Sequence, residues 1–122
     1  MTATRQALGR TGERLAAEFL AERGLHIVER NWRCAGIGEV DLVAQEGECL
    51  VIVEVRTRRG DAYGTPAESV TARKQTRLAT LAEAYCQEMG WPGPVRIDVV
   101  AVTLTADGRL REMQHIRNAV SG

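Results

Sequence analysis

Apolar positions recur along the chain with two periods, and the switches between them mark out seven elements. From about residue 5 to residue 23, Leu8, Leu15, Phe19 and Leu20 share a broad face with Gly12 and Ala16, the spacing of an amphipathic helix. Gly24 stands where such a helix stops. Three strand-like runs follow, Leu25 to Cys34, Glu39 to Gln45 and Cys49 to Arg58, separated by Ala35-Gly36-Ile37-Gly38 and by Glu46-Gly47-Glu48. Leu50-Val51-Ile52-Val53 is apolar on both faces, as a central strand requires. After the polar stretch Arg59 to Gly64, Thr65-Pro66-Ala67-Glu68 reads as a capping box with proline at the first helical position. It predicts a helix that breaks near Thr71 and whose main part carries Leu78, Leu81, Tyr85 and Met89. Gly90-Trp91-Pro92-Gly93-Pro94 ends that helix. Val95 to Leu104 is rich in β-branched residues, Asp107-Gly108 is a hairpin signal, and Leu110 to Ile116 is polar enough for an edge strand. The expected order is α-β-β-β-α-β-β, an α/β fold with a mixed β-sheet flanked by helices.

Length and composition narrow this picture. The 122 residues suffice for one domain, 1–122, and 44% apolar residues exclude a disordered chain. Acidic and basic residues balance at 16 each, so no partner is held by bulk charge, and any nucleic-acid site must come from local segregation of charge. Fifteen of the basic residues are arginine and only Lys74 is lysine, a ratio that genome composition bias explains. Cys34, Cys49 and Cys86 lack any C-x-x-C spacing, which excludes a zinc ribbon and a disulfide scaffold. They read as reduced, mostly buried thiols of a cytoplasmic protein. Met1 to Arg10 has no apolar core, and no run approaches the roughly 18 apolar residues of a membrane span. The expectation is a soluble chain with no membrane partner and no cleaved export signal.

Charges inside the apolar patterns carry the chemistry. If Gly47-Glu48 is a two-residue type II′ turn, paired residue numbers of the second and third strands sum to 95. Asp41 then falls opposite Glu54, and Glu39 opposite Arg56, all on one face; a slip of two leaves them there. Like charges facing each other on a half-buried sheet are destabilising. A proton, Arg56 or a divalent cation such as Mg²⁺ or Mn²⁺ must compensate. Glu13 lies at the edge of the first helix's buried stripe, flanked by Gly9 and Gly12, whose value would be close approach of helix to sheet. It is either a third member of this group or a solvated surface residue. Lys74 precedes the apolar stripe of the second helix by one turn and is either a helix-edge lysine or part of the same group. With Arg56, it neighbours Arg58, Arg59, Arg73 and Arg77, an ordinary charged surface or a basic rim able to contact phosphates.

Other signals are weaker. His26 and His115 lack metal-ligand spacing and read as structural or solvated. Asp98, within an apolar strand, reads as the partner of Arg96 or another arginine. There is no phosphate-binding glycine loop. Aromatic residues, at 4%, are too scattered for a stacking platform on single strands.

Gly12-Glu13, Asn31, Gly38-Glu39-Val40-Asp41-Leu42-Val43 and Val53-Glu54-Val55-Arg56-Thr57-Arg58 together resemble the YraN-type family of uncharacterised bacterial proteins. Gly64-Thr65-Pro66 with Lys74, and Arg96-Ile97-Asp98-Val99-Val100, extend the match over nearly the whole chain. The family is similar to PD-(D/E)XK nucleases, in particular archaeal-type Holliday-junction resolvases. The resemblance implies a restriction-endonuclease-like fold, with Glu13 as the helix glutamate and Asp41 and Glu54 as metal-binding acids for Mg²⁺ or Mn²⁺. It further implies DNA as the nucleic-acid partner, branched DNA as a candidate, and a homodimer. Arg56 occupies the position of the motif lysine. Arginine stabilises charge but is always protonated and cannot act as a base, which makes Lys74 a candidate substitute. Three readings stay open: a metal-dependent DNA endonuclease, a nucleic-acid-binding module without efficient cleavage, and a protein-interaction domain whose acids form a salt-bridge network with Arg56.

Overall fold

A computed structural model of the protein describes residues 5–60 and 70–120. The chain runs α1 (Arg5–Glu22), β1 (His26–Cys34), β2 (Gly38–Glu46), β3 (Cys49–Arg59), α2 (Ala72–Met89), β4 (Val95–Leu104) and β5 (Leu110–Ile116), the order that the hydrophobic pattern predicts. Five strands form one sheet in the order β1-β2-β3-β4-β5. Only the β3–β4 pair is parallel, and α2 lies in the crossover between its strands. The apolar run of β3 is central, and β5 is an exposed edge. Among the described residues, no helix is long and apolar enough to cross a membrane.

The sheet is buried on both faces. On one, Leu20, Ala16 and Ala17 of α1 pack on Leu42, Val51, Val53, Val55, Val100 and Val102. On the other, Leu78, Leu81 and Tyr85 of α2 pack on Trp32, Val43, Ile52, Ile97 and Val99. Trp32 and Tyr85 meet edge to face at 5.1 Å, and each has a polar exit, the indole to Glu88 at 2.9 Å and the phenol to Glu29 at 3.2 Å. The helix starts at Thr71, whose side chain accepts from the Lys74 backbone amide, and stops at left-handed Gly90. The break expected near Thr71 and the capping box at Thr65 to Glu68 that would open the helix before it involve residues outside the described ones.

Register follows the turn. Glu46 pairs with Cys49 and Leu42 with Val53, so paired numbers sum to 95. Gly47 has φ 59° and Glu48 does not share its sign, as a type II′ turn requires. The ladder stops at Leu42–Val53, however. Asp41 and Glu54 are not a ladder pair, Glu39 pairs with Arg33 of β1, and Arg56 pairs with Ala101 of β4. This corrects the expectation of four charges aligned across β2 and β3.

The three cysteines are unpaired but half-buried rather than buried. Asp98 is fully buried and does pair with Arg96, Nε to Oδ1 at 3.0 Å. It also holds His115 Nε2 at 2.8 Å and the Asn118 amide at 2.8 Å.

Gly12 meets its expected purpose. A Cβ there would lie 1.8 Å from Thr57 Oγ1 and 2.9 Å from Thr57 Cβ, an overlap that rotating the threonine cannot relieve. Gly9 faces open space. Gly12→Ala is therefore expected to destabilise by about 1–3 kcal/mol through overpacking. Gly9→Ala is expected to stabilise by about 0.5–1 kcal/mol through helix propensity. Urea unfolding of both variants checks the opposite signs.

Candidate functional site

The site forms where two strands part. Beyond Leu42–Val53 the backbone ladder between β2 and β3 ends, and the Val55 amide donates instead to the side chain of Asp41, at Oδ2, 2.8 Å away. Val40 packs with the α2-side core while Leu42 packs with the α1-side core, so the alternation of β2 breaks between them. Opposite this break, the β1–β2 ladder skips Asn31, which has a left-handed φ of 54° inside a strand. The break sends Glu39 toward α1. The Asn31 side-chain amide lies between two carboxylates there, and oriented with its nitrogen rather than its oxygen toward them, as acceptor-only neighbours require, it donates to Glu13 Oε1 at 2.9 Å and Oε2 at 3.3 Å, and to Glu39 Oε1 at 2.7 Å.

Oxygen atoms of Glu13, Glu39 and Asp41 consequently lie within 4.8 Å of one another. A cleft of about 450 Å³ opens beside them, lined by Leu8, Gly9, Glu13, Asp41, Glu54, Val55, Arg56 and Thr57. Close seating of α1 at Gly12 brings Glu13 into this cleft. Burial first, and the Glu54 carboxylate second, push the Asp41 carboxyl up to about 8, with Glu13 adding to the effect and the Val55 amide opposing it. Glu13 is also raised, by burial and then by Glu39 and Glu54, against a smaller pull from Arg10. The donor set is all carboxylate oxygen, which suits a hard divalent cation. A positive charge would also offset the burial and the neighbouring Glu54 charge that push the Asp41 carboxyl up.

Of the residues singled out in the sequence, Glu13, Asp41, Glu54 and Arg56 line one cleft. Lys74 is half-buried near the start of α2. Its ammonium is lowered mainly by burial, then by Arg56 and Arg77, while Glu54 favours its charge. Arg77 lies along the start of β2, its Cδ 3.5 Å from where a Cβ on Gly38 would sit. Arg56, Lys74 and Arg77 thus form a basic flank beside Glu54. Arg73 is exposed on α2, and Arg58 sits at the end of β3 opposite Thr103. Arg59 turns away, its Nε donating to Ala106 O at 2.8 Å. Among the described residues no ion pair joins Arg56 to Asp41 or Glu54, so the internal salt-bridge network with Arg56 is not formed.

Two participants escaped assignment from sequence. Strict alternation puts Glu39 on the face of Arg56, but the break in alternation brings it to Glu13 instead. Asn31 carried no chemical signal beyond its place in the family motif. Arg33, 82% exposed and 3.4 Å from Glu39, is a further cation at the rim.

Sequence comparison with known proteins matches most of the chain. The profile of "Uncharacterised protein family UPF0102" matches residues 12–102. A UPF0102 protein of Pelotomaculum thermopropionicum is 45% identical over 120 residues, covering 98% of this chain and 99% of its own length. One from Symbiobacterium thermophilum is 55% identical over 105 residues, covering 85% and 88%. One from Rhodococcus opacus is 50% identical over 115 residues, covering 93% and 95%. Among solved structures, a chain of the EndoMS-dsDNA2 complex is similar with a TM-score of 0.47 and 17% identity. That similarity covers 88% of this chain and 40% of the other.

Proposed function

The chain belongs to the uncharacterised protein family UPF0102, and from that membership and the carboxylate cleft we propose a metal-dependent DNA endonuclease of the PD-(D/E)XK type, one domain over residues 1–122. The observation that carries this reading is the convergence of Glu13, Glu39 and Asp41 within 4.8 Å, beside Glu54 and a basic flank.

Glu13, Glu39 and Asp41 would hold Mg²⁺ or Mn²⁺, with Glu54 alongside. A bound divalent cation supplies neutralisation of phosphate charge and a lowered pKa for water. The chain's own groups do the rest. The Val55 amide fixes one oxygen of Asp41 and so aims the carboxylate. Arg56 keeps its charge and stabilises an anionic phosphate, but takes no proton. Lys74, its ammonium lowered by burial and by Arg56, is the group whose Nζ can orient a nucleophile or move a proton as the motif lysine would. Arg58, Arg73 and Arg77 would contact flanking phosphates, which makes binding weaken as salt rises; Arg59, engaged with Ala106 O, is left out of that set. Branched DNA is the proposed substrate. The two symmetric strands of a four-way junction call for a homodimer, and a cytoplasmic location fits reduced cysteines and a DNA substrate.

A second reading has one observation in its favour. With Arg56 at the motif lysine position, the same cleft would bind nucleic acid without efficient cleavage. Purified protein incubated with linear, single-stranded and four-way-junction DNA, with and without Mn²⁺, separates the two. Mn²⁺-dependent nicking that Asp41→Ala and Glu54→Ala abolish is the expected result. Cleavage equal in wild type and variants would be contamination and would sink the enzyme reading. Salt-dependent binding without cleavage would establish the module.

A further inference from the structure

Asn31 answers two demands that no other residue at its position answers together. Its backbone is left-handed, φ 54°, in the interior of β1. A non-glycine side chain rarely adopts that conformation, and asparagine is among the few that tolerate it. Its side chain is not spent on the backbone, as asparagine in turns usually is. It reaches across from β1 to carboxylates on two other elements, Glu13 of α1 and Glu39 of β2, with its amide nitrogen, once turned toward these acceptors, at 2.7–3.3 Å. An amide NH₂ has two hydrogens, one for each carboxylate. Glycine would keep the backbone and lose both donors. Alanine would lose the donors and strain the backbone.

We propose that Asn31 is the positioning residue of this site, holding Glu13 and Glu39 at a shared spacing before a cation arrives. The inference rests on the proposed metal-dependent function and adds a residue to it. Two like-charged carboxylates on separate elements repel each other and would spread into the cleft. The amide bridges them without adding net charge, so the pair stays together yet keeps its attraction for a cation. The left-handed backbone supplies the aim: in an ordinary strand, Asn31 would alternate between Arg30 and Trp32 and could not be set independently of the pleat. Local strain of this kind persists where the surrounding packing holds it, here Trp32 in the core on one side and the resumed ladder at Arg30–Leu42 on the other.

The test is Mn²⁺ binding followed through the free-ion spin-resonance signal, with Asn31→Gly beside wild type and melting temperature measured in EDTA. The variant should melt within about 3 °C of wild type, since glycine suits a left-handed site. It should bind Mn²⁺ about 10–100-fold more weakly, as loss of an outer partner of a ligating carboxylate does. Equal affinity in the two proteins overturns the proposal and leaves the metal site standing. Affinity and melting temperature falling together overturn it too, since that marks a purely structural role. No Mn²⁺ binding by wild type removes the proposed function and this inference with it. A second measurement needs no variant. In wild type, the Asn31 side-chain NH₂ resonances should move during Mg²⁺ titration with the same midpoint as the Val55 amide; NH₂ signals that stay fixed while Val55 moves overturn the positioning role.

Discussion

Asp98→Ala is expected to destabilise the protein by about 3–5 kcal/mol, the cost of stranding the partners of a buried charge. Asp98 is 0% exposed and gathers Arg96, His115 and the Asn118 amide. Removing it leaves the His115 ring, 1% exposed, without its carboxylate and the Arg96 guanidinium, 15% exposed, with Glu46 as its one remaining ion-pair partner among the described residues. The same residues already carry the orphaned buried atoms Arg96 Nη2 and His115 Nδ1, so no spare acceptor is at hand. Glu46, its carboxyl held down at about 2 by Arg117 at 2.6 Å and Arg96 at 2.8 Å, keeps its hold on Arg96 but makes no contact with His115 or the Asn118 amide, which among the described residues Asp98 alone serves. The Asn118 contact also anchors the turn that brings Val120 into the core. Urea unfolding should show the loss as a lower midpoint with an unchanged slope. Asp98→Asn, which keeps the shape and an acceptor, should lose less.

The second large effect is at Asp41, and it has opposite signs for stability and for activity. With a folded-state pKa near 8 against 3.8 ordinarily, Asp41 binds a proton in the native state that the unfolded chain has released. Native protein therefore holds more protons than unfolded protein between about pH 4 and pH 8, and stability without metal must fall as pH rises through that window. Asp41→Asn has no such proton, and its oxygen can still accept from Val55. In EDTA the variant should lack this slope and melt above wild type once the pH exceeds about 8. Its Mn²⁺-dependent cleavage should fall by about a thousandfold, the scale of several kcal/mol of charge stabilisation that a divalent cation supplies. Melting curves across pH and single-turnover cleavage rates check the two halves. A variant less stable than wild type at high pH would contradict the electrostatic account of the site.

The fold was legible because each element declared its period and its ends. Gly47-Glu48 set the register of β2 and β3, and Asp98 within Val95 to Leu104 foretold a buried pair with Arg96. Legibility failed where the period itself failed. Strict alternation put Glu39 with Arg56, whereas the break between Val40 and Leu42 gives it to Glu13. No local pattern encodes a left-handed Asn31 in mid-strand, since that conformation is held by packing on both sides of it. His115 escaped for another reason. Its partner Asp98 is 17 residues away, and only the β4–β5 pairing brings them together. Glu13 was ambiguous from its own helix, and the contact of Gly12 with Thr57 on another element decides its place.

Whether the carboxylates of α1 and β2 hold a divalent cation is decided by melting temperature at about pH 8.5, above the Asp41 pKa, in EDTA and in Mn²⁺, for wild type and Asp41→Asn. A cation bound only by the folded state should raise wild-type melting by about 5–10 °C once it reaches roughly 100 times its dissociation constant. Asp41→Asn should show little of that rise. Identical melting of wild type in Mn²⁺ and EDTA, or an equal rise in the variant, would contradict a cation site there.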